Sequence, residues 1–85
     1  MYRIDTEEIA QIQIQALPEH LLPELASLFA LLELQPWTGN PYNKERPNAN
    51  MRVHTTGEGG ECDVIYLVLD EQRLVLVLRL SWIGS

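Results

Sequence analysis

Apolar residues in the first part of the chain recur with the period of an α-helix. The segment Asp5-Thr6-Glu7-Glu8 resembles a capping box and predicts a helix that begins near residue 6. Pro18 ends this helix, because the residue before a proline resists the α conformation. Four apolar residues at helical spacing form the predicted buried stripe: Ile9, Ile12, Ala16 and Leu17.

A second helix is predicted from Pro23 to about Leu34, after a short turn at residues 19–22. Proline is well tolerated at the first helical position, where its missing N–H would have no partner. The apolar stripe of this helix is wide enough for burial against both a sheet and the first helix. It consists of Leu25, Leu28, Phe29, Leu31, Leu32 and Leu34.

Residues 35–50 are rich in proline, glycine and asparagine, which interrupt regular structure. We predict a long irregular connection that Trp37 and Tyr42 hold to the body of the protein, because large rings bury much apolar area.

The last third of the chain has the pattern of a β-hairpin. Residues 62–69 and 73–83 are rich in β-branched and apolar side chains and flank the turn Asp70-Glu71-Gln72. If Leu69 pairs with Leu74, one face of the hairpin consists of Ile65, Leu67, Leu69, Leu74, Leu76, Leu78 and Leu80. The other face consists of Cys62, Val64, Tyr66, Val68, Val75, Val77, Arg79 and Ser81. We expect the helices to cover the leucine-rich face.

Residues 51–56 are predicted to form a further strand, which Gly57-Glu58-Gly59-Gly60 connects to the hairpin. Placing Met51 and Val53 under the helices leaves four polar side chains together on the open face: Arg52, His54, Tyr66 and Arg79. The predicted fold is α+β, with two helices on one face of a small, mainly antiparallel sheet, in a single domain of residues 1–85.

Composition excludes several classes of protein. Six basic and twelve acidic residues give a net charge of −6, which disfavours nonspecific nucleic-acid binding. A lone cysteine, Cys62, rules out an internal disulfide and fits a reducing cytoplasmic location. No export signal and no apolar run of about 20 residues is present, so we expect no membrane span. His20 and His54 lack partners at metal-ligand spacing, and no cofactor is expected.

The four side chains of the predicted open face could together handle RNA. Arginines brace phosphates, histidine transfers protons near neutral pH, and tyrosine stacks on a base, which would suit cleavage through the 2′-hydroxyl. Polar residues on a solvent-facing sheet surface also occur without any function, and that alternative stays open.

The order strand, helix, helix, long loop and three strands resembles the RelE/ParE superfamily of bacterial toxins from type II toxin–antitoxin modules. Five segments carry the resemblance: Tyr2-Arg3-Ile4, Ala16-Leu17-Pro18, residues 36–43 (PWTGNPYN), Met51-Arg52-Val53 and Asp63-Val64-Ile65-Tyr66.

The resemblance implies a cytoplasmic toxin that a cognate antitoxin neutralises. RelE-like members cut mRNA in the ribosome, and ParE-like members poison DNA gyrase. The family would place catalytic basic residues on the open face, at Arg52 and Arg79. Asp63 stands where many relatives have arginine, which together with the net charge of −6 supports an alternative. The alternative is a nonenzymatic binding module of the same fold, either a gyrase-directed inhibitor or a degenerate toxin. Self-association through the Val/Tyr open face would give a homodimer.

Overall fold

The computed structural model describes residues 1–83, within which two helices lie against a five-stranded sheet. Gly84 and Ser85, the last residues of the predicted domain, lie outside the described residues. The strands are β1 (Arg3–Thr6), β2 (Asn40–Pro41), β3 (Met51–Thr56), β4 (Cys62–Leu69) and β5 (Leu74–Trp82). The helices are α1 (Glu8–Ala16) and α2 (Leu22–Leu34), with single 3₁₀ turns at Glu19–Leu21 and Pro36–Thr38.

The sheet has the strand order β1-β5-β4-β3-β2. β1 runs parallel to β5, and every other neighbouring pair is antiparallel. The two helices lie on one face of this sheet, so the predicted α+β fold is confirmed. The predicted bounds of β3 and β4 are also confirmed, and α2 begins one residue earlier than predicted.

The face of the sheet that the helices cover is the opposite of the predicted one. The core joins the inner residues of the helices to the valine-rich face: Ala10, Leu17, Leu21, Leu25, Leu28, Leu32, Cys62, Val64, Tyr66, Val68, Val75, Val77 and Leu80. We call this side the covered face and the other side the open face. Both faces are largely apolar, so alternation alone did not distinguish them. Asp63 and Arg79 lie among the leucines, and burying those charges would cost far more than leaving leucines partly exposed.

A β-bulge in β5 changes which side chains share a face. Leu69 pairs with Leu74, as predicted, but Tyr66 pairs with Val77 while Ile65 pairs with Arg79. Leu78 is therefore an extra residue in β5, and every side chain after it changes sides. Leu80 turns into the core, and its backbone N–H donates a hydrogen bond to Gln13 Oε1 on α1 at 2.7 Å.

Helix α1 also turns a different side to the sheet from the predicted one. Ile9 and Ile12 are more than half exposed, whereas Ala10 is completely buried. The small side chain of Ala10 lets the helix approach β5, and Gln13 reaches the bulge. The predicted capping box does not form, because Thr6 ends β1 and Glu7 is the N-cap, without a side-chain hydrogen bond.

Helix α2 buries Leu25, Leu28 and Leu32 as predicted, but Leu31 and Leu34 are exposed. It is the longer helix, with 13 residues, and within residues 1–83 no helix has the length and hydrophobicity required to cross a bilayer.

Candidate functional site

Arg52 lies on the covered face, where the loop of residues 35–50 closes over β3. Only 8% of its surface is exposed. Its guanidinium donates to Pro47 O at 2.8 Å, to Ala49 O at 3.3 Å and to Gly39 O at 2.8 Å. The guanidinium carbon lies 5.2 Å from the centre of the Trp37 ring, within cation–π range. Arg52 therefore holds the loop in place through carbonyl groups.

Tyr66 is the neighbour of Arg52 on β4 and is completely buried. Its hydroxyl donates to Pro36 O at 2.7 Å and accepts from the Gly39 N–H at 3.2 Å. Burial raises the pKa of the Tyr66 phenol, while the Gly39 hydrogen bond and the charge of Arg52 act in the opposite direction. A neutral hydroxyl is what this position requires, since it must donate to one backbone group and accept from another.

Gly39 fits where the loop meets the sheet because it has no side chain. A Cβ at this position would lie 2.5 Å from the Tyr66 hydroxyl and 2.8 Å from Val53 O. The glycine therefore allows the loop backbone to come within hydrogen-bonding distance of both Tyr66 and Arg52.

The prediction that Arg52, His54, Tyr66 and Arg79 share an open face is wrong. The first three belong to the covered side, because Arg52 pairs with Tyr66 and His54 with Val64. Arg79 is exposed on the open face, where the bulge pairs it with Ile65. His54 is half-buried at the β3 edge, with its Nδ1 atom 3.2 Å from Thr55 O. The structure brings together Arg52 and Tyr66, but as supports of the loop.

The open face carries a polar group beside Arg79 that the sequence interpretation missed. On this face Asp63 pairs with Thr55 on β3 and with Ser81 on β5. Arg79 lies two residues before Ser81, so it is the next side chain along β5 on the same face. The Thr55 hydroxyl donates to Asp63 Oδ1 at 2.7 Å and so orients the carboxylate. Arg79 is a diagonal neighbour of Asp63 between β5 and β4, a separation that long side chains can span. The available signal was that Asp63 interrupts the apolar run of β4 and that Arg79 and Ser81 interrupt that of β5.

The Val/Tyr surface through which a homodimer was predicted is not on the open side. Val64, Val75 and Val77 are completely buried under the helices. The aliphatic side chains left partly exposed on the open face are Met51, Val53, Leu67, Leu69, Leu74 and Leu76. A homodimer stays a prediction, but the surface named for it cannot form it.

The turn between β4 and β5 contains a second polar contact to the loop. Asp70 Oδ1 accepts from the Tyr2 hydroxyl at 2.5 Å and from Trp37 Nε1 at 3.1 Å. These two hydrogen bonds lower the pKa of the Asp70 carboxyl. Desolvation acts in the opposite direction, and the nearby charge of Arg73 contributes a further, smaller lowering. Arg73 lies over the Tyr2 ring at 5.5 Å. Asp70 thus joins β1, the loop and the hairpin.

A pair of titratable side chains lies next to the turn between β3 and β4, where His20 Nε2 is 3.0 Å from Glu61 Oε2. The hydrogen bond from His20, followed by that from the Gly59 N–H, lowers the pKa of Glu61. Within residues 1–83 no three His, Cys, Asp or Glu side chains come together as metal ligands would. The pair therefore connects the 3₁₀ turn before α2 to the β3–β4 turn.

Three solved structures have folds closely similar to this one. The isolated RelE toxin of E. coli aligns with a TM-score of 0.80 and 15% sequence identity, over 100% of this chain and 87% of that chain. A chain of the intact E. coli RelBE toxin–antitoxin complex aligns over 100% of both chains, with a TM-score of 0.75 and 18% identity. A chain of the RelBE2 toxin–antitoxin complex of Mycobacterium tuberculosis aligns with a TM-score of 0.77 and 21% sequence identity, over 99% of this chain and 93% of that chain.

No protein-family model matches the sequence, and no curated protein matches it significantly. The chain thus has a RelE-like fold over its whole described length. Because one fold can carry several functions, its activity has to be argued from its own residues.

Proposed function

We propose that this chain is the toxin of a type II toxin–antitoxin pair and that it cleaves RNA. The observation that carries the proposal is the likeness to RelE toxins, which extends over 99–100% of the chain and includes two structures solved as toxin–antitoxin complexes. The partner proposed for this chain is a cognate antitoxin, and the proposed location is the bacterial cytoplasm, where mRNA and ribosomes are available.

The open face offers two groups for the cleavage step. The Asp63 carboxylate, oriented by Thr55, accepts the proton of a ribose 2′-hydroxyl. The 2′-oxygen attacks the adjacent phosphorus, the bond to the 5′-oxygen breaks, and that oxygen takes a proton from water. The products are a 2′,3′-cyclic phosphate and a 5′-hydroxyl end. Arg79, which is exposed one row away, stabilises the additional negative charge on the phosphate.

Arg52 and Tyr66 act differently from the predicted catalytic role. Both are buried, and the two terminal nitrogens of Arg52 and the hydroxyl of Tyr66 already bind backbone groups of the loop. We assign them the role of positioning residues, which hold the loop against β3 and β4 from the covered face. His54 belongs to the covered side and is not assigned a step in cleavage.

Induced expression in a bacterial host, with the 5′ ends of transcripts mapped, tests the proposal. We expect growth arrest together with new 5′-hydroxyl ends in mRNA. Arg79→Ala and Asp63→Asn should relieve both effects, whereas Arg3→Ala, which removes an exposed arginine from the edge strand β1, should retain them.

Two outcomes would contradict the proposal. Normal growth at full expression without an antitoxin would remove the toxin assignment. Growth arrest without new RNA ends would leave a toxin that acts without cleavage, and loss of DNA supercoiling in those cells would identify gyrase as its target.

A further inference from the structure

A cleft of about 510 Å³ lies between the loop and the start of β3. We call it the loop cleft, and it is lined by Tyr42, Asn43, Lys44, Arg46, Ala49 and Met51. None of these residues takes part in the cleavage step proposed above. The volume falls within the range typical of small-molecule sites.

The loop cleft concentrates positive charge in an acidic protein. The chain has a net charge of −6 and only six basic side chains: Arg3, Lys44, Arg46, Arg52, Arg73 and Arg79. The Arg52 guanidinium already donates hydrogen bonds to loop carbonyl groups, and the Arg73 guanidinium lies over the Tyr2 ring. Two of the remaining four, Lys44 and Arg46, line this cleft. Two cations that converge on one cavity favour an anionic ligand, and a phosphate accepts hydrogen bonds from both.

Tyr42 adds an aromatic wall to the loop cleft. Tyr42 is 45% exposed, which is the highest value among the large aromatic residues in the described part of the chain, followed by Trp37 at 39%. An exposed ring beside cations is the arrangement that binds single-stranded nucleic acid, because the ring stacks on a base while the cations hold the backbone.

Hydrogen bonds within the loop fix the shape of the cleft before any ligand arrives. The Glu45 N–H donates to Asn43 Oδ1 at 3.0 Å, and the Arg46 N–H donates to Asn43 O at 2.9 Å. The Ala49 N–H donates to Arg46 O at 3.1 Å, and the guanidinium of the buried Arg52 donates to Ala49 O at 3.3 Å. A cavity that is already ordered loses little entropy when it binds a ligand.

The loop cleft borders the same side of the sheet as Arg79. The Tyr42 N–H donates to Met51 O, and Met51 pairs with Leu67 on the open face. Arg79 lies on β5, three strand spacings from β2, which corresponds to roughly 14 Å across the sheet. One RNA strand lying across the open face could therefore reach both places.

We propose that the loop cleft binds one nucleotide of single-stranded RNA, with a phosphate between Lys44 and Arg46 and a base stacked on Tyr42. The proposal rests on the proposed function, since it assigns this cleft to the RNA that Arg79 contacts. It makes the cleft the part of the protein that selects nucleic acid over other anions.

Titration of the ¹⁵N-labelled protein with adenosine monophosphate, followed by NMR, tests the loop cleft directly. We expect the largest chemical-shift changes at the amides of residues 42–51. Adenosine and inorganic phosphate, which each carry half of the ligand, should bind the same region more weakly. Lys44→Gln and Arg46→Gln should each weaken nucleotide binding about fivefold or more, as should Tyr42→Leu.

Arg3→Gln is the matched control, because it removes one exposed positive charge far from the loop cleft and should leave the affinity unchanged. Equal affinity for inorganic phosphate and the nucleotide would overturn the proposal in favour of an anion site. Tighter binding of a tetraglutamate peptide than of the nucleotide would overturn it in favour of an acidic protein segment. The largest shift changes falling outside residues 42–51 would also overturn it.

The results separate this proposal from the proposed function. Growth arrest with RNA cleavage, but without nucleotide shifts in the loop cleft, keeps the toxin assignment and removes the nucleotide site. Nucleotide binding in the loop cleft by a chain that does not arrest growth retains the site and removes the toxin assignment.

Discussion

On the covered face of the β4–β5 hairpin, Val64, Val75 and Val77 are completely buried, whereas on the open face Leu67 and Leu76 remain partly exposed. The larger and more hydrophobic leucines are thus the ones that water reaches. What separates the two faces is the polar residues among them, since Asp63 and Arg79 belong to the open face. The charges of Asp63 and Arg79, which are costly to bury, decide the orientation of this sheet, and its apolar residues do not. Arg52 is the charged residue buried on the covered face, where three loop carbonyl groups accept its hydrogen bonds.

The polar residues of the two faces differ in their exposure to water and in their hydrogen-bond partners. On the covered face, Arg52 and Tyr66 have hydrogen bonds to backbone groups of the loop and are closed off from water. On the open face, Asp63 has the Thr55 hydroxyl as a partner, and Arg79 is exposed. Buried polar groups are therefore used for structure here, and the exposed ones are available for a ligand.

Truncating a leucine on each face of β5 should give the largest difference between the two faces. Leu80 is 2% exposed in the core, and Leu80→Ala should lower the free energy of unfolding by about 2–5 kcal/mol. Leu76 is partly exposed, and Leu76→Ala should cost roughly 1 kcal/mol or less. Urea unfolding of both variants measures the difference. A larger loss for Leu76→Ala would mean that the helices cover the leucine-rich face after all.

Removing the Tyr66 hydroxyl should have the next largest effect. Tyr66→Phe leaves Pro36 O and the Gly39 N–H without this partner, in a place that water does not reach, and should cost about 1–3 kcal/mol. Tyr42→Phe is the matched control, because the Tyr42 side chain is 45% exposed, and it should change stability by less than about 0.5 kcal/mol. Chemical denaturation compares the two. Equal, small losses would show that Tyr66 does not hold the loop.

The sequence predicted the elements of this fold better than the faces they present. β3, β4 and α2 follow from hydrophobic runs and proline positions, which act locally along the chain. The orientation of α1 depends on contact with the sheet, where the small side chain of Ala10 and the reach of Gln13 outweigh Ile9 and Ile12. No local pattern reports such a contact.

The candidate site was predicted less well, and the reason is the bulge. An unbroken hairpin would align Arg79 with Val64, but Leu78 is an extra residue and moves Arg79 to the opposite face. The sequence analysis correctly placed Arg52 and Tyr66 on the same face, and they pair across β3 and β4. Their role was not predicted, because the carbonyl groups that bind Arg52 come from Gly39, Pro47 and Ala49 in an irregular loop.

The smallest expected effect concerns Asp70, which holds the same loop from the edge of the hairpin, in contact with water. Hydrogen bonds from Tyr2 and Trp37 lower the pKa of Asp70 in the folded protein, while an unfolded aspartate has a pKa of about 3.9. The folded state therefore binds this proton more weakly, so the stabilisation is complete above about pH 4 and is lost as the pH falls through the lowered pKa.

Asp70→Asn removes that titration, and the variant should lose less stability than the parent between about pH 6 and pH 3. Tyr2→Phe keeps the carboxyl but removes its strongest hydrogen bond, so its pH dependence should lie between those of Asp70→Asn and the parent. Thermal unfolding at a series of pH values, followed by the fluorescence of Trp37 and Trp82, measures this dependence for all three chains. Parallel curves for the three proteins would show that Asp70 contributes nothing specific. In that case the loop would be held from the covered face alone, by Arg52 and Tyr66.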